Sequence, residues 1–217
     1  MSQVIDYLLY FFIYSAIGFI LEVVLCSIRD KKLVNRGFLF GPILPVYGFG
    51  VLVVLLSTQN VKDSATLTFL VAMFACSALE YFTSWLMEKF YGIKLWDYSK
   101  SDRYNLNGRI CLRNGLAFGI VGCFAVRNVQ PRIAAFVSRL GSLKPPIVIA
   151  LIALFLLDLV ASTYAVQKVK HSIRLKLISG DQTSEVKKLA SGAIAQLLTG
   201  KNYLERRIEK LKRDYFH

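Results

Sequence analysis

This chain of 217 residues carries little of what most catalytic or nucleic-acid-binding proteins rely on. Histidine occurs twice, as His171 and His217, both in the C-terminal tail, which excludes a histidine-based metal site within the apolar body. The four cysteines, Cys26, Cys76, Cys111 and Cys123, show no CxxC spacing and no neighbouring histidine, so they read as small packing residues. A GxxxxGK[ST] phosphate loop is absent: Gly200-Lys201 is followed by Asn202 and lacks the earlier glycine. No serine stands in a GxSxG setting. Acidic residues number 14 against 27 Lys and Arg, a net charge of +13. In a soluble protein that charge would suggest nucleic acid. Here 55% of residues are hydrophobic, and no nucleic-acid partner is expected.

What the chain has in abundance is apolar runs. A membrane span needs about 20 predominantly apolar residues. Five segments approach that length: Ile5–Ile28, Phe38–Thr58, Ala65–Met87, Cys111–Val129 and Pro145–Val166. The fold class expected is therefore all-α, a polytopic membrane protein of about five transmembrane helices, spanning residues 1–166. Residues 167–217 form a basic cytoplasmic tail. The first apolar run follows Asp6 rather than a basic region and is too long for a signal core, so it reads as a retained first helix. Positive charge orients the bundle. Segments on one side carry 22 Lys and Arg, among them Arg29, Lys31, Lys32 and Arg36, whereas the opposite connections carry 5. The positive-inside rule then places the N-terminus outside and the C-terminus in the cytoplasm.

Three carboxylates, Glu22, Glu80 and Asp158, interrupt these runs. An ionisable group costs roughly 2.5–3.5 kcal/mol at the centre of an inserted helix, so it persists where it faces a cavity or a partner. Tyr14, Ser15, Gly18 and Glu22 share one helical face, and Ser77, Glu80, Ser84 and Glu88 share another. The inner connections supply cations and hydrogen bonds: Asn35-Arg36, Trp96-Asp97-Tyr98-Ser99 and Asn107-Gly108-Arg109. We expect a polar binding site opening toward the cytoplasm, built from Glu22, Asn35, Arg36, Glu80, Glu88, Trp96, Asp97, Tyr98, Asn107 and Arg109. The same residues could instead form interhelical salt bridges, such as Arg36 or Arg109 with Glu22 or Glu80. An all-carboxylate magnesium site from Glu22, Glu80, Glu88 and Asp97 is chemically open, but no metal or other cofactor is assigned.

Backbone chemistry sets two spans apart. The second opens with Gly37, Gly41, Pro42, Pro45, Gly48 and Gly50 within 16 residues, which opposes a smooth helix and predicts a kinked or re-entrant entry. The fourth carries Gly115-x-x-x-Gly119, a spacing that permits close helix approach. In the tail, Ser184–Leu198 and the stretch after Gly200 show apolar stripes opposite basic faces, suited to anionic lipids or a partner helix.

Taken together, Tyr14-Ser15-Ala16-Ile17-Gly18 with Glu22, Asn35-Arg36-Gly37-Phe38-Leu39-Phe40-Gly41-Pro42, Pro45-Val46-Tyr47-Gly48, Glu80-Tyr81 with Glu88-Lys89, Trp96-Asp97-Tyr98-Ser99 and Asn107-Gly108-Arg109 resemble a bacterial family of "putative type IV ABC-transporter" membrane proteins. The resemblance covers residues 7–131 and implies a multi-pass, permease-like protein. It brings no catalytic residue and no substrate.

Three functions fit. The foremost is a transport component for a small solute or lipid, which with five spans and no nucleotide motif predicts a homo-oligomer, a separate ATPase or another partner subunit. The second is a membrane-embedded enzyme acting on a lipid or isoprenoid, with Glu22 or Glu80 as acid or base and Arg36 or Arg109 holding an anionic headgroup. The third is a non-catalytic assembly or regulatory protein.

Overall fold

The long apolar runs form the long helices. In the computed structural model, which describes residues 2–31, 38–91, 96–99 and 102–178, α1 is Ser2–Asp30, α2 Pro45–Ser57, α3 Ala65–Tyr91, α4 Leu112–Phe124, α5 Gln130–Arg139 and α6 Lys144–Ile178. A π-helical turn, Ala125–Val129, joins α4 to α5. The chain is mostly helical. Among the described residues, three helical stretches are long and apolar enough to cross a membrane: Gln3–Ile28, Ala65–Phe90 and Gly141–Ala165. The apolar helix α2 has 13 residues, about 20 Å at ~1.5 Å per residue, against a hydrocarbon layer of about 30 Å. Residues 38–44 ahead of it are non-helical, and Pro45 stands in its first turn, where a missing N–H costs nothing.

One element departs from an all-helical reading. Asn105–Leu106 (β1) and Ile110–Cys111 (β2) pair antiparallel, with Asn105 opposite Cys111 and Leu106 opposite Ile110. Asn107 and Gly108 both have positive φ, 55° and 68°, and the N–H of Arg109 donates to the carbonyl of Leu106 at 3.0 Å. Asn-Gly tolerates that left-handed backbone better than other pairs.

The chain divides into two compact units. The first comprises Met1–Gly18 and Leu44–Ala153. Its core gathers Leu9 and Tyr14 of α1, Ile133 and Val137 of α5, and Val148 of α6. Glycines let its helices approach. A Cβ on Gly18 would fall 2.2 Å from Cγ of Tyr47, one on Gly48 2.3 Å from Ser15 Oγ, and one on Gly119 2.5 Å from the Phe69 ring. The backbone N–H of Leu44 donates to the Ser15 carbonyl at 3.0 Å, so the Tyr14–Gly18 and Pro45–Gly48 motifs lie against each other.

The second unit comprises Phe19–Ile43 and Leu154–His217. Within it, Asp158 of α6 accepts the backbone N–H of Phe40 at 2.9 Å and that of Gly41 at 2.8 Å, while Ser162 Oγ donates to the same carboxylate at 3.1 Å. An acid inside an apolar helix thus satisfies donors that the non-helical segment cannot pair within itself. The amphipathic tail segments 184–198 and 202–215 lie outside the described residues.

Candidate functional site

The polar face of α3 meets residues 96–99 and 102–111 in a polar cluster of the first unit. Glu80, Ser84 and Glu88 recur every four residues, so they line one helical stripe. Each meets the segment that follows the helix. Tyr98 donates its hydroxyl to Glu80 Oε1 at 3.0 Å, and Asn114 of α4 donates its amide to the Tyr98 hydroxyl at 2.7 Å. Arg109 reaches Ser84 Oγ at 3.3 Å with one nitrogen and forms an ion pair with Glu88 through the other. Its guanidinium also lies 5.6 Å from the ring centre of Tyr81, whose hydroxyl accepts from Asn107 Nδ2 at 3.1 Å.

The backbone of the segment is held by its own polar groups. Trp96 Nε1 donates to the Arg109 carbonyl at 2.8 Å, and the Tyr98 N–H donates to the Gly108 carbonyl at 2.9 Å. Asp97 Oδ1 accepts the N–H of Ser99 at 3.0 Å. A Cβ on Gly108 would stand 2.3 Å from that oxygen, so only glycine fits under Asp97. Asp97 therefore shapes the turn.

Glu80 is the distinctive member. It is 7% exposed, and its Oε2 has no hydrogen-bond partner among the described residues. No described Lys or Arg pairs with it. A buried carboxylate needs hydrogen-bond donors to offset its lost hydration, and Tyr98, backed by Asn114, is the donor set beside Glu80.

Of the residues expected to converge, Glu80, Glu88, Trp96, Tyr98, Asn107 and Arg109 stand in this network, with Asp97 beside them. Arg109 pairs with Glu88, two turns further along α3 than Glu80, because the hairpin presents it there; Glu80 is met by Tyr98 instead. Glu22 lies in the second unit, where Cys26 Sγ stands 3.6 Å from its Oε1. Asn35 and Arg36 lie outside the described residues. Among the described residues no three His, Cys, Asp or Glu side chains gather to hold a metal ion. Sequence reasoning missed Asn114, although a lone carboxamide at the start of an apolar helix was a signal to follow.

A family model described as "Putative ABC-transporter type IV" matches residues 9–163. The chain belongs to this family. The match takes in the α1–α2 motifs, the α3 stripe and the whole 96–111 segment. No curated protein and no solved structure matches the chain. Family membership and the three long apolar helices together fit a component of membrane transport, located in a membrane.

Proposed function

We propose that this protein is a permease-like transport subunit whose polar site is centred on Glu80 and opens to the cytoplasm when the 96–111 segment lifts from α3. The observation that carries the reading is the buried Glu80 carboxylate, with one oxygen held by Tyr98 and the other without a donor. An ionisable residue inside a span is by default a candidate for a substrate or ion pathway, here with Tyr98 as its partner. Polar contacts hold the covering segment to α3, and such contacts exchange with water. On a five-span reading, with the second span broken at residues 38–44, the charge partition supports an inside position for this segment. Lacking a nucleotide-binding motif, the subunit would be driven by a separate ATPase or work as a homo-oligomer. Its basic tail would rest on anionic lipid.

The test uses Glu80→Gln and a cysteine-replaced background carrying Asn114→Cys. Glu80→Gln keeps the oxygen that accepts from Tyr98, so melting in detergent should shift little while complementation of a deletion strain is lost. Asn114→Cys should react with a membrane-impermeant thiol reagent from the cytoplasmic side, and faster when Arg109→Gln loosens the segment. Retained complementation by Glu80→Gln, or labelling of Asn114→Cys from outside alone, would refute the proposal.

A further inference from the structure

At the opposite end of α3 an open groove of about 570 Å³ runs between the first turns of α3 and the last turn of α4 with its π-helical extension. Its walls are Phe69, Ile120 and Phe124, and its rim carries Thr66, Arg127 and Asn128. Ile120 is 64% exposed and Phe124 58%, on a helix that otherwise packs its glycines against α3. Arg127 uses Nη1 alone, donating to the carbonyls of Lys62 and Asp63 at 2.9 and 3.2 Å. Nη2 and Nε have no partner among the described residues. Those two carbonyls precede Ala65, where the apolar stretch of α3 begins, so the guanidinium stands at the level where the membrane boundary would lie. Ile120 lies seven residues before Arg127, about 10 Å deeper at ~1.5 Å per residue.

We propose that this groove seats one anionic phospholipid, its phosphodiester on Arg127 and an acyl chain along Phe69, Ile120 and Phe124. The argument is one of matched profile. A guanidinium with two unused, adjacent donors fits two oxygens of a phosphate. Directly below it the wall turns apolar over the depth an acyl chain occupies. A free phosphate would use the rim and leave the aromatic wall unexplained, and an apolar partner helix would leave the guanidinium unanswered. The contacts to the Lys62 and Asp63 carbonyls fix the side chain in advance, so little rotamer freedom is lost on binding. This site lies apart from Glu80 and does not depend on the transport reading.

The full chain, purified in detergent and titrated with palmitoyl-oleoyl phosphatidylglycerol, should retain one lipid per chain in native mass spectrometry. Arg127→Gln should weaken retention about tenfold, as loss of a charge-assisted bond implies. Ile120→Trp fills the groove from an exposed position. It should weaken retention comparably while leaving the melting temperature unchanged, which separates lipid loss from misfolding. The proposal fails if Ile120→Trp retains lipid as the parent does. It fails equally if glycerol phosphate, which has the head and no chain, competes as well as the diacyl lipid. A drop in melting temperature for Arg127→Gln with lipid retention intact would also overturn it, reducing Arg127 to a brace for the 62–63 turn.

Discussion

The carboxylate of Asp158 stands 2.8 Å from the backbone nitrogen of Gly41, and a side chain on Gly41 would need the space that its Oδ2 already occupies. The two residues specify each other. Residues 38–44 leave the helical path, so the N–H groups of Phe40 and Gly41 find acceptors elsewhere, and Asp158 supplies one oxygen to each. An intramembrane acid that looks functional from its sequence position is here occupied with holding broken backbone.

This pairing predicts a specific non-additivity. Asp158→Ala removes two charge-assisted hydrogen bonds and should cost about 2–3 kcal/mol, somewhat under their full value because the site is only half-buried. Gly41→Ala should cost about 1–3 kcal/mol through the clash with Oδ2. In the Asp158→Ala background most of that second penalty should disappear, since the atom it strikes is gone. Melting in detergent of the two single variants and the double variant closes the cycle. Simple additivity would mean that Gly41 is required for its backbone rather than for Asp158.

The glycines of the first unit give a graded series. Gly18→Ala sets a methyl against Cγ and Cβ of Tyr47 at 2.2 and 2.5 Å, atoms tied to the α2 backbone that cannot swing aside. Gly119→Ala meets the Phe69 ring at 2.5 Å. Each should cost about 3 kcal/mol or more, the upper range for overpacking. Gly50→Ala, whose nearest neighbour is 3.9 Å away, should instead be neutral or stabilise by about 0.5–1 kcal/mol through better helix propensity. The ranking can be read from thermal melts of the three variants. Equal behaviour of Gly18 and Gly50 would disprove the close approach of α1 and α2.

These contacts show which parts of the fold were legible in the sequence. Ile5–Ile28, Ala65–Met87 and Pro145–Val166 were visible as helices because uninterrupted apolar length is a local property. The Gly115-x-x-x-Gly119 spacing likewise announced the face that packs on α3. Two features were overlooked although their signals were present. Leu106-Asn107-Gly108-Arg109-Ile110 carries the Asn-Gly pair of a tight hairpin, and Ile133 with Val137 one turn on marked α5 as amphipathic. Residues 130–139 fall between the fourth and fifth apolar runs, yet they form α5, and Ile133 and Val137 belong to the core. Partner choice was not legible at all. Glu22, Glu80 and Asp158 look alike in sequence, yet Tyr98 meets Glu80 whereas backbone N–H groups meet Asp158. Such pairings depend on tertiary register, which no local pattern encodes.

Sidedness can be tested against two independent lines of reasoning. Charge assigns the N-terminus, the 58–64 turn and the 125–144 region to the outside, since these carry 5 of the 27 Lys and Arg. Contacts in the first unit gather the same segments without reference to charge. Lys144 Nζ pairs with Asp6 at 2.7 Å, Gln59 Nε2 donates to the Tyr7 hydroxyl at 3.2 Å, and Arg127 caps the carbonyls of Lys62 and Asp63. Single cysteines at Ser2 and Asn60, in a background with the four native cysteines replaced, must therefore label from the same side whatever that side is. The charge partition adds that this side is external, and that Thr183→Cys labels from the cytoplasm. Ser2 and Asn60 labelling from opposite faces would contradict the packing of the first unit. Both labelling from inside would leave the packing intact and invert the membrane orientation, which would carry the Glu80 site and the 96–111 segment to the outer face.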